Sequence, residues 1–318
     1  MSQQTRSFMK SLINPIDRRT FLKQMRGLAC FAGASMLVPA SLWAQSKMPD
    51  LAVVNGEIEP AVKKAVDMLG GMSRFVKNGS RVVIKPNMSF ASGPERAANT
   101  HPLVVKTLAQ LCRQAGAGRV LVLDNPLAPA EQCIENSGIG AACSAIEKDM
   151  AQTVSDPSRF REVEISGAKS LKQTDVMREV LNADVLIAAP QAKSHSGAGV
   201  SLSMKGMMGL ISNRRVMHRL DLHESIVDLA SLLTPDLVVV DASRVLSSGG
   251  PGGPGTVLTP KTIIASADMV AADAYTVSSF EWYGSRYSAD QIKHIRLAHQ
   301  RGLGRMDIDK LKIGRATV

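Results

Sequence analysis

Aromatic residues are scarce: seven Phe, three Tyr and two Trp make up 4% of the 318 residues. Proteins that hold single-stranded nucleic acid stack bases on aromatic rings along a basic groove. This chain has neither such rings nor a run of Lys and Arg, which excludes nucleic acid as a partner. Cysteine is equally sparse. Of four Cys, Cys30 lies near the amino terminus, leaving Cys112, Cys133 and Cys143 without any Cys-x-x-Cys pair. An odd count of this kind makes a poor disulfide frame and offers no iron–sulfur motif. A Cys133–Cys143 bridge stays open, whereas Cys112 falls in an apolar helical stripe that marks it as core. Long apolar runs are missing too. Residues 27–44 contain two glycines, two serines and Pro39, which is too polar for a span of roughly 20 apolar residues, so no stable membrane span is expected. The G-x-x-x-x-G-K-[ST] phosphate loop is absent as well.

What is present begins with Asp17-Arg18-Arg19-Thr20-Phe21-Leu22-Lys23. Twin arginines ahead of a moderately apolar run, closed by the small-x-small site Ala44-Gln45-Ser46, read as a twin-arginine signal peptide over residues 1–46. The expectation is a passage through the twin-arginine translocon and a periplasmic location. That route exports folded proteins, many of them already carrying a cofactor. The leader holds six basic residues and one acid, so removing it takes the formal charge from +10 to +5. The remainder is mildly basic and suits a small anionic ligand.

Residues 47–318 are long enough for a single α/β domain with a sizeable core. Short β-branched runs (51–54, 81–84, 120–123, 162–165, 185–188, 237–240 and 262–265) alternate with helical stretches (60–69, 102–115, 130–137, 141–150, 201–210, 222–233, 269–279 and 289–301). Alternation predicts a mostly parallel sheet with helices on both faces and a ligand crevice at the carboxyl ends of the strands. The residues after each strand run form a polar set: Lys85 and Asn87, then Asp124, then Lys193 and His195, then Asp241, then Ser266 and Asp268. Asp124 and Asp241 fit either a site or an Asx-turn, and Asp268 fits a helix N-cap better than a catalyst.

The segment from Lys193 to His223 is the richest. It places Lys193-x-His195 before small residues, then Ser203 and Lys205 with Gly206 and Gly209, then Arg214-Arg215, His218 and His223. Backbone N–H groups beside Lys and Arg suit a phosphate or carboxylate. His195, His218 and Lys193 are the candidate catalytic groups. Lys85, Asn87, Asp124, Ser203, Lys205, Asp241 and Gly250 are candidates for holding the ligand. His195, His218 and His223 are candidate metal ligands, although five residues separate His218 from His223, which does not place them on one helical face. Met204, Met207 and Met208 read as core. His294 and His299 read as surface groups of an amphipathic stretch. The glycine- and proline-rich 247–255 segment reads as a mobile lid.

The motifs VVIKPNM (82–88), NTHPLVV (99–105), APQAKSH (189–195), SMKGMMG (203–209) and SADMVAADA (266–274), with the glycine segment, resemble the domain of unknown function 362 family over nearly all of the exported part. Some members of that family carry a ferredoxin-like domain, whose cysteine motifs this chain lacks. A looser similarity is to nickel-pincer lactate racemases, which use Lys and His around a phosphate-bearing nickel cofactor; their own motifs are not seen here. The resemblance implies little about chemistry, since the family has no settled function. The export signal with the Lys85, Lys193, His195 and Lys205 set leads to the expectation of an exported protein with a metal ion or an anionic metal-containing cofactor, doing redox or isomerase-like proton-transfer chemistry. The alternative is a non-catalytic periplasmic carrier or maturation partner.

Overall fold

The computed structural model describes residues 48–318, so the signal segment and its cleavage site lie outside the described residues. Fifteen strands form: β1 (Leu51–Asn55), β2 (Arg81–Pro86), β3 (Arg119–Asp124), β4 (Ala151–Thr153), β5 (Phe160–Glu164), β6 (Gln173–Met177), β7 (Val185–Ala189), β8 (Gln191–His195), β9 (Gly199–Ser201), β10 (Leu237–Leu246), β11 (Val257–Leu258), β12 (Thr262–Ser266), β13 (Glu281–Trp282), β14 (Ser285–Arg286) and β15 (Ile313–Thr317). Eleven of them share one sheet, whose main path runs β15-β1-β12-β10-β7-β2-β3-β4. Neighbours from β10 to β4 are parallel. Only β12 opposes its neighbours along this path, β1 and β10.

Both faces of the sheet are covered, and the strand sequences explain how. Val82, Ile84, Val120, Val122, Ile187 and Val239 join one apolar core, beneath the helices Ile58–Met68 and Pro102–Gln114. Their neighbours Val83, Leu121, Leu123, Leu186, Val238 and Val240 join the other, beneath Leu222–Leu232 and Met269–Ser279. Side chains alternate across a strand, so a continuous apolar run such as Val238–Val240 is what a strand buried on both sides needs. The helices are started by their own sequences. Asp221 accepts the N–H groups of His223 and Glu224. Asp268 accepts those of Val270 and Ala271, the N-cap role expected of it.

The direction of β12 corrects one expectation. Since it runs against β1 and β10, Ser266 and Asp268 leave the sheet at the edge opposite Lys85, Asp124 and Asp241 and take no part in the crevice. A second difference is β8. Residues 191–195 form a strand, which continues β7 after a break at Pro190 and pairs with an extended β10. A hairpin then joins β8 to β9, with Lys193 opposite Ser201 and His195 opposite Gly199. The 201–210 stretch is a four-residue helix, Ser203–Gly206, followed by a 3₁₀ turn. Cys112, Cys133 and Cys143 are free, buried thiols. Among the described residues no helix is long and apolar enough to cross a membrane.

Candidate functional site

The carboxyl ends of β2, β3 and β8 enclose a crevice of about 630 Å³ that opens to solvent. Its floor is an ion pair. Lys85 Nζ stands 3.2 Å from Asp124 Oδ1, with side chains 2% and 0% exposed. Asp124 Oδ2 accepts from Met88 N and Ser89 Oγ, both at 2.8 Å. The lysine Nζ also donates to the Pro86 carbonyl. Burial pulls the Lys85 pKa down, against the partial support of Asp124.

Gly209 fits against this pair. A Cβ there would lie 2.1 Å from Asp124 Oδ1 and 2.5 Å from Lys85 Cε, and its carbonyl accepts from Asn125 N at 2.8 Å. Only a residue without a side chain lets the 3₁₀ turn approach so closely. Gly209→Ala is therefore expected to lower stability by about 3 kcal/mol through overpacking and a displaced ion pair. Urea unfolding checks this; a loss under ~1 kcal/mol would contradict the packing argument.

Beside the pair, Lys193, Lys205 and the half-buried Arg214 have no carboxylate in salt-bridge range among the described residues, and the exposed Arg215 also lines the crevice. Lys193 is 2% exposed; it donates to the Ala98 carbonyl, and its Nζ lies 4.9 Å from the centre of the Phe90 ring. Lys205 is buried, with the Met208 sulfur 3.6 Å from its Nζ. Arg214 donates to the Asn125 carbonyl. Burial first, and then the neighbouring positive charges, lower the Lys193 pKa to about 7 and that of Lys205 to about 8. Arg214 is lowered by burial as well.

Alternation along β8 places Lys193 and His195 on one side of the strand and Ser194 on the other. His195 Nδ1 accepts from Gly197 N and Ala198 N at 3.1 and 3.2 Å. With that lone pair engaged, the neutral ring carries its hydrogen on Nε2 and is a donor there. Burial, then Lys205, push its pKa down to about 3, so the ring stays neutral. His218 stacks against it, with ring centres 6.4 Å apart, and remains exposed.

Seven expected residues thus line the crevice: Lys85, Asn87, Asp124, Lys193, His195, Lys205 and His218. Four others stand elsewhere. Ser203 faces Asp273, donating its hydroxyl at 2.6 Å, while the carboxylate also accepts from the N–H groups of Ser203 and Met204. Asp273 therefore caps the short helix that carries Lys205. Asp241 is spent on His101 N, Ser243 N and Ser243 Oγ. Gly250 donates to Ser194 Oγ, and its neighbour Pro251 is what reaches the crevice. His223 stacks on His294 with centres 5.7 Å apart. His294 is fully buried rather than a surface group, because its helix turns that side into the core. Met204, Met207 and Met208 are core residues, as expected.

Sequence reasoning did not single out Ser89, Phe90, Leu127 or Asp273. The first two continue the loop after β2, and Asp273 is a lone carboxylate in an apolar helix, a signal visible in Met269–Ser279 itself. As for metals, His195 has its Nδ1 lone pair occupied and His223 does not line the crevice. Among the described residues no group of three or more His, Cys, Asp or Glu is placed to hold a metal ion.

A family profile described as "Domain of unknown function (DUF362)" matches residues 82–278. Thylakoid-associated protein sll1697 of Synechocystis sp. is 27% identical over 234 residues, covering 69% of this chain and 68% of that one. Among solved structures, the lactate racemase apoprotein from Thermoanaerobacterium thermosaccharolyticum aligns with a TM-score of 0.43 at 12% identity. That alignment covers 71% of this chain and 56% of the racemase's length.

Proposed function

The chain belongs to the domain of unknown function DUF362 family, and from that premise we propose that it is an exported protein holding a small anionic ligand in its Lys/His crevice and moving a proton at it. One observation carries the reading: the buried Lys193 and Lys205 and the half-buried Arg214 line one crevice with no carboxylate to pair them among the described residues. Uncompensated buried charge costs several kcal/mol per ion, a cost that an anionic ligand offsets. The Asp124 carboxylate is already committed to Lys85, so these three cations are left for the ligand.

The two lysines are the groups for the proton work. Burial lowers the pKa of Lys193 to about 7 and that of Lys205 to about 8, so either amine can take up or give up a proton near neutral pH, as isomerase-like proton transfer needs. His195 orients the ligand by donating from Nε2. His218, stacked on it and exposed, exchanges protons with water. The reading assigns no metal to His195, His218 or His223. Export rests on Asp17–Lys23; the protein is expected in the periplasm of a host with a working twin-arginine pathway and in the cytoplasm when Arg18 and Arg19 are both replaced by Lys.

Calorimetric titration with inorganic phosphate tests the ligand. Saturable one-to-one binding is expected, lost when Lys193 and Lys205 are both changed to Met in a protein that still melts cooperatively. A wild-type protein that binds neither phosphate nor sulfate would sink the reading.

A further inference from the structure

The crevice is not lined by charge alone. Phe90, Leu127, Met208 and Pro251 share it with the cations. Leu127 is 58% exposed, the most exposed large apolar side chain among the described residues. Loop tips usually leave such a residue free to move, yet the backbone of this one is tied down. Leu127 N and Ala128 N both donate to the Ser89 carbonyl, at 3.0 and 3.2 Å. Phe90 is fixed as well. The fully buried Asn99 accepts from Ser89 N and Phe90 N and donates to the carbonyls of Phe90 and Ser92. On its far side Phe90 packs against the glycine segment, where a Cβ at Gly252 would come within 2.8 Å of the ring. A rigid apolar rim above a cation-lined floor is the usual build of a site for a ligand with one polar end and one apolar end.

Resting on the anion-binding reading above, we infer that the ligand is an organic phosphate monoester, its dianionic head among Lys193, Lys205 and Arg214 and an apolar body against Phe90 and Leu127. The head is a dianion because three unpaired cations, not one, face it. A phosphate also gives the fork of Arg214 and the two ammonium groups separate oxygens. The body is apolar because Leu127 lines the crevice with more than half of its surface exposed. Covering ~60 Å² of apolar surface strengthens binding about tenfold.

The test is calorimetry on the purified protein with inorganic phosphate, methyl phosphate and phenyl phosphate at one pH and salt concentration. Phenyl phosphate is expected to bind at least about tenfold more tightly than methyl phosphate. Leu127→Ala should narrow that ratio to about threefold or less, with little change in the melting transition because the residue is 58% exposed. Equal affinities for methyl and phenyl phosphate would overturn the inference while leaving the anion-binding reading in place. A ratio that Leu127→Ala does not change would overturn the placement of the body. Failure of all three probes to bind would remove the underlying reading and this one with it.

Discussion

Sulfate affinity is expected to fall about a hundredfold to a thousandfold between pH 6 and pH 9. Sulfate is a suitable probe because it stays dianionic across that range, so any change belongs to the protein. In the empty crevice Lys193 has its pKa lowered from 10.5 to about 7, and Lys205 from 10.5 to about 8, with burial as the largest cause for each. A bound dianion favours the charged amines and raises both values. Below pH 7 the ammonium groups are already present and binding needs no proton. Above pH 8 each binding event must draw protons from solution, so affinity drops by up to tenfold per pH unit for each amine involved. Binding measured in buffers of different ionisation enthalpy should reveal the proton uptake. Lys193→Met should flatten the profile between pH 7 and pH 8; an unchanged slope would show that Lys193 does not face the anion.

The same shifts set the sign of a stability effect. Folding moves the two amines from an ordinary value of 10.5 to lower ones, so between about pH 7 and pH 10 the unfolded chain binds more protons than the folded one. Stability of the ligand-free protein therefore rises with pH across that window from the contribution of these groups and is least favourable at pH 7 and below. Saturating sulfate reverses the contribution, and the melting temperature should rise most on adding sulfate at the acidic end.

Much of this frame was legible in the sequence because strands buried on both faces read as unbroken apolar runs. The ends of β2, β3 and β7 could be placed together on that basis, which brings Lys85, Asp124, Lys193 and His195 to one crevice, although residues 191–195 read as the segment after β7 and not as a strand of their own. Strand direction was less visible. Nothing in Thr262–Ser266 distinguishes an antiparallel strand from its parallel neighbours, and so Asp268 was placed at the wrong edge. The division of labour among buried carboxylates was hidden too. Asp241 closes the Asx-turn expected of it on Ser243 and also accepts from the distant His101 N, while Asp273 is spent on the N–H groups and hydroxyl of the distant Ser203–Met204 turn. Such long-range satisfaction follows from packing, and local spacing does not encode it. His294 shows the same limit: its helix has the polarity of a surface helix, but the helix lies with that histidine against His223.

Asp124→Ala is expected to destabilise the protein by about 3–5 kcal/mol, the range for stripping one partner from a buried ion pair. The carboxylate does three things at once. It stands 3.2 Å from Lys85 Nζ, and it accepts from Met88 N and Ser89 Oγ. Removing it leaves a fully buried ammonium beside Lys193, Lys205 and Arg214, in a region already short of negative charge. Asp124→Asn keeps the volume and one acceptor, so it should lose roughly half as much. The informative variant is the double change Lys85→Met with Asp124→Ala, which removes charge and counter-charge together. If the pair matters through electrostatics, the double variant recovers about 2 kcal/mol or more relative to Asp124→Ala alone, a coupling outside the additivity of independent sites. If the carboxylate matters mainly by tying the Met88–Ser89 turn, Lys85→Met brings no recovery, and the loop that fixes Phe90 and Leu127 loosens in both variants. Denaturant unfolding of the three proteins separates the cases: the first outcome makes Asp124 the counter-ion that allows Lys85 to sit beneath the site, and the second makes it the anchor of the apolar rim.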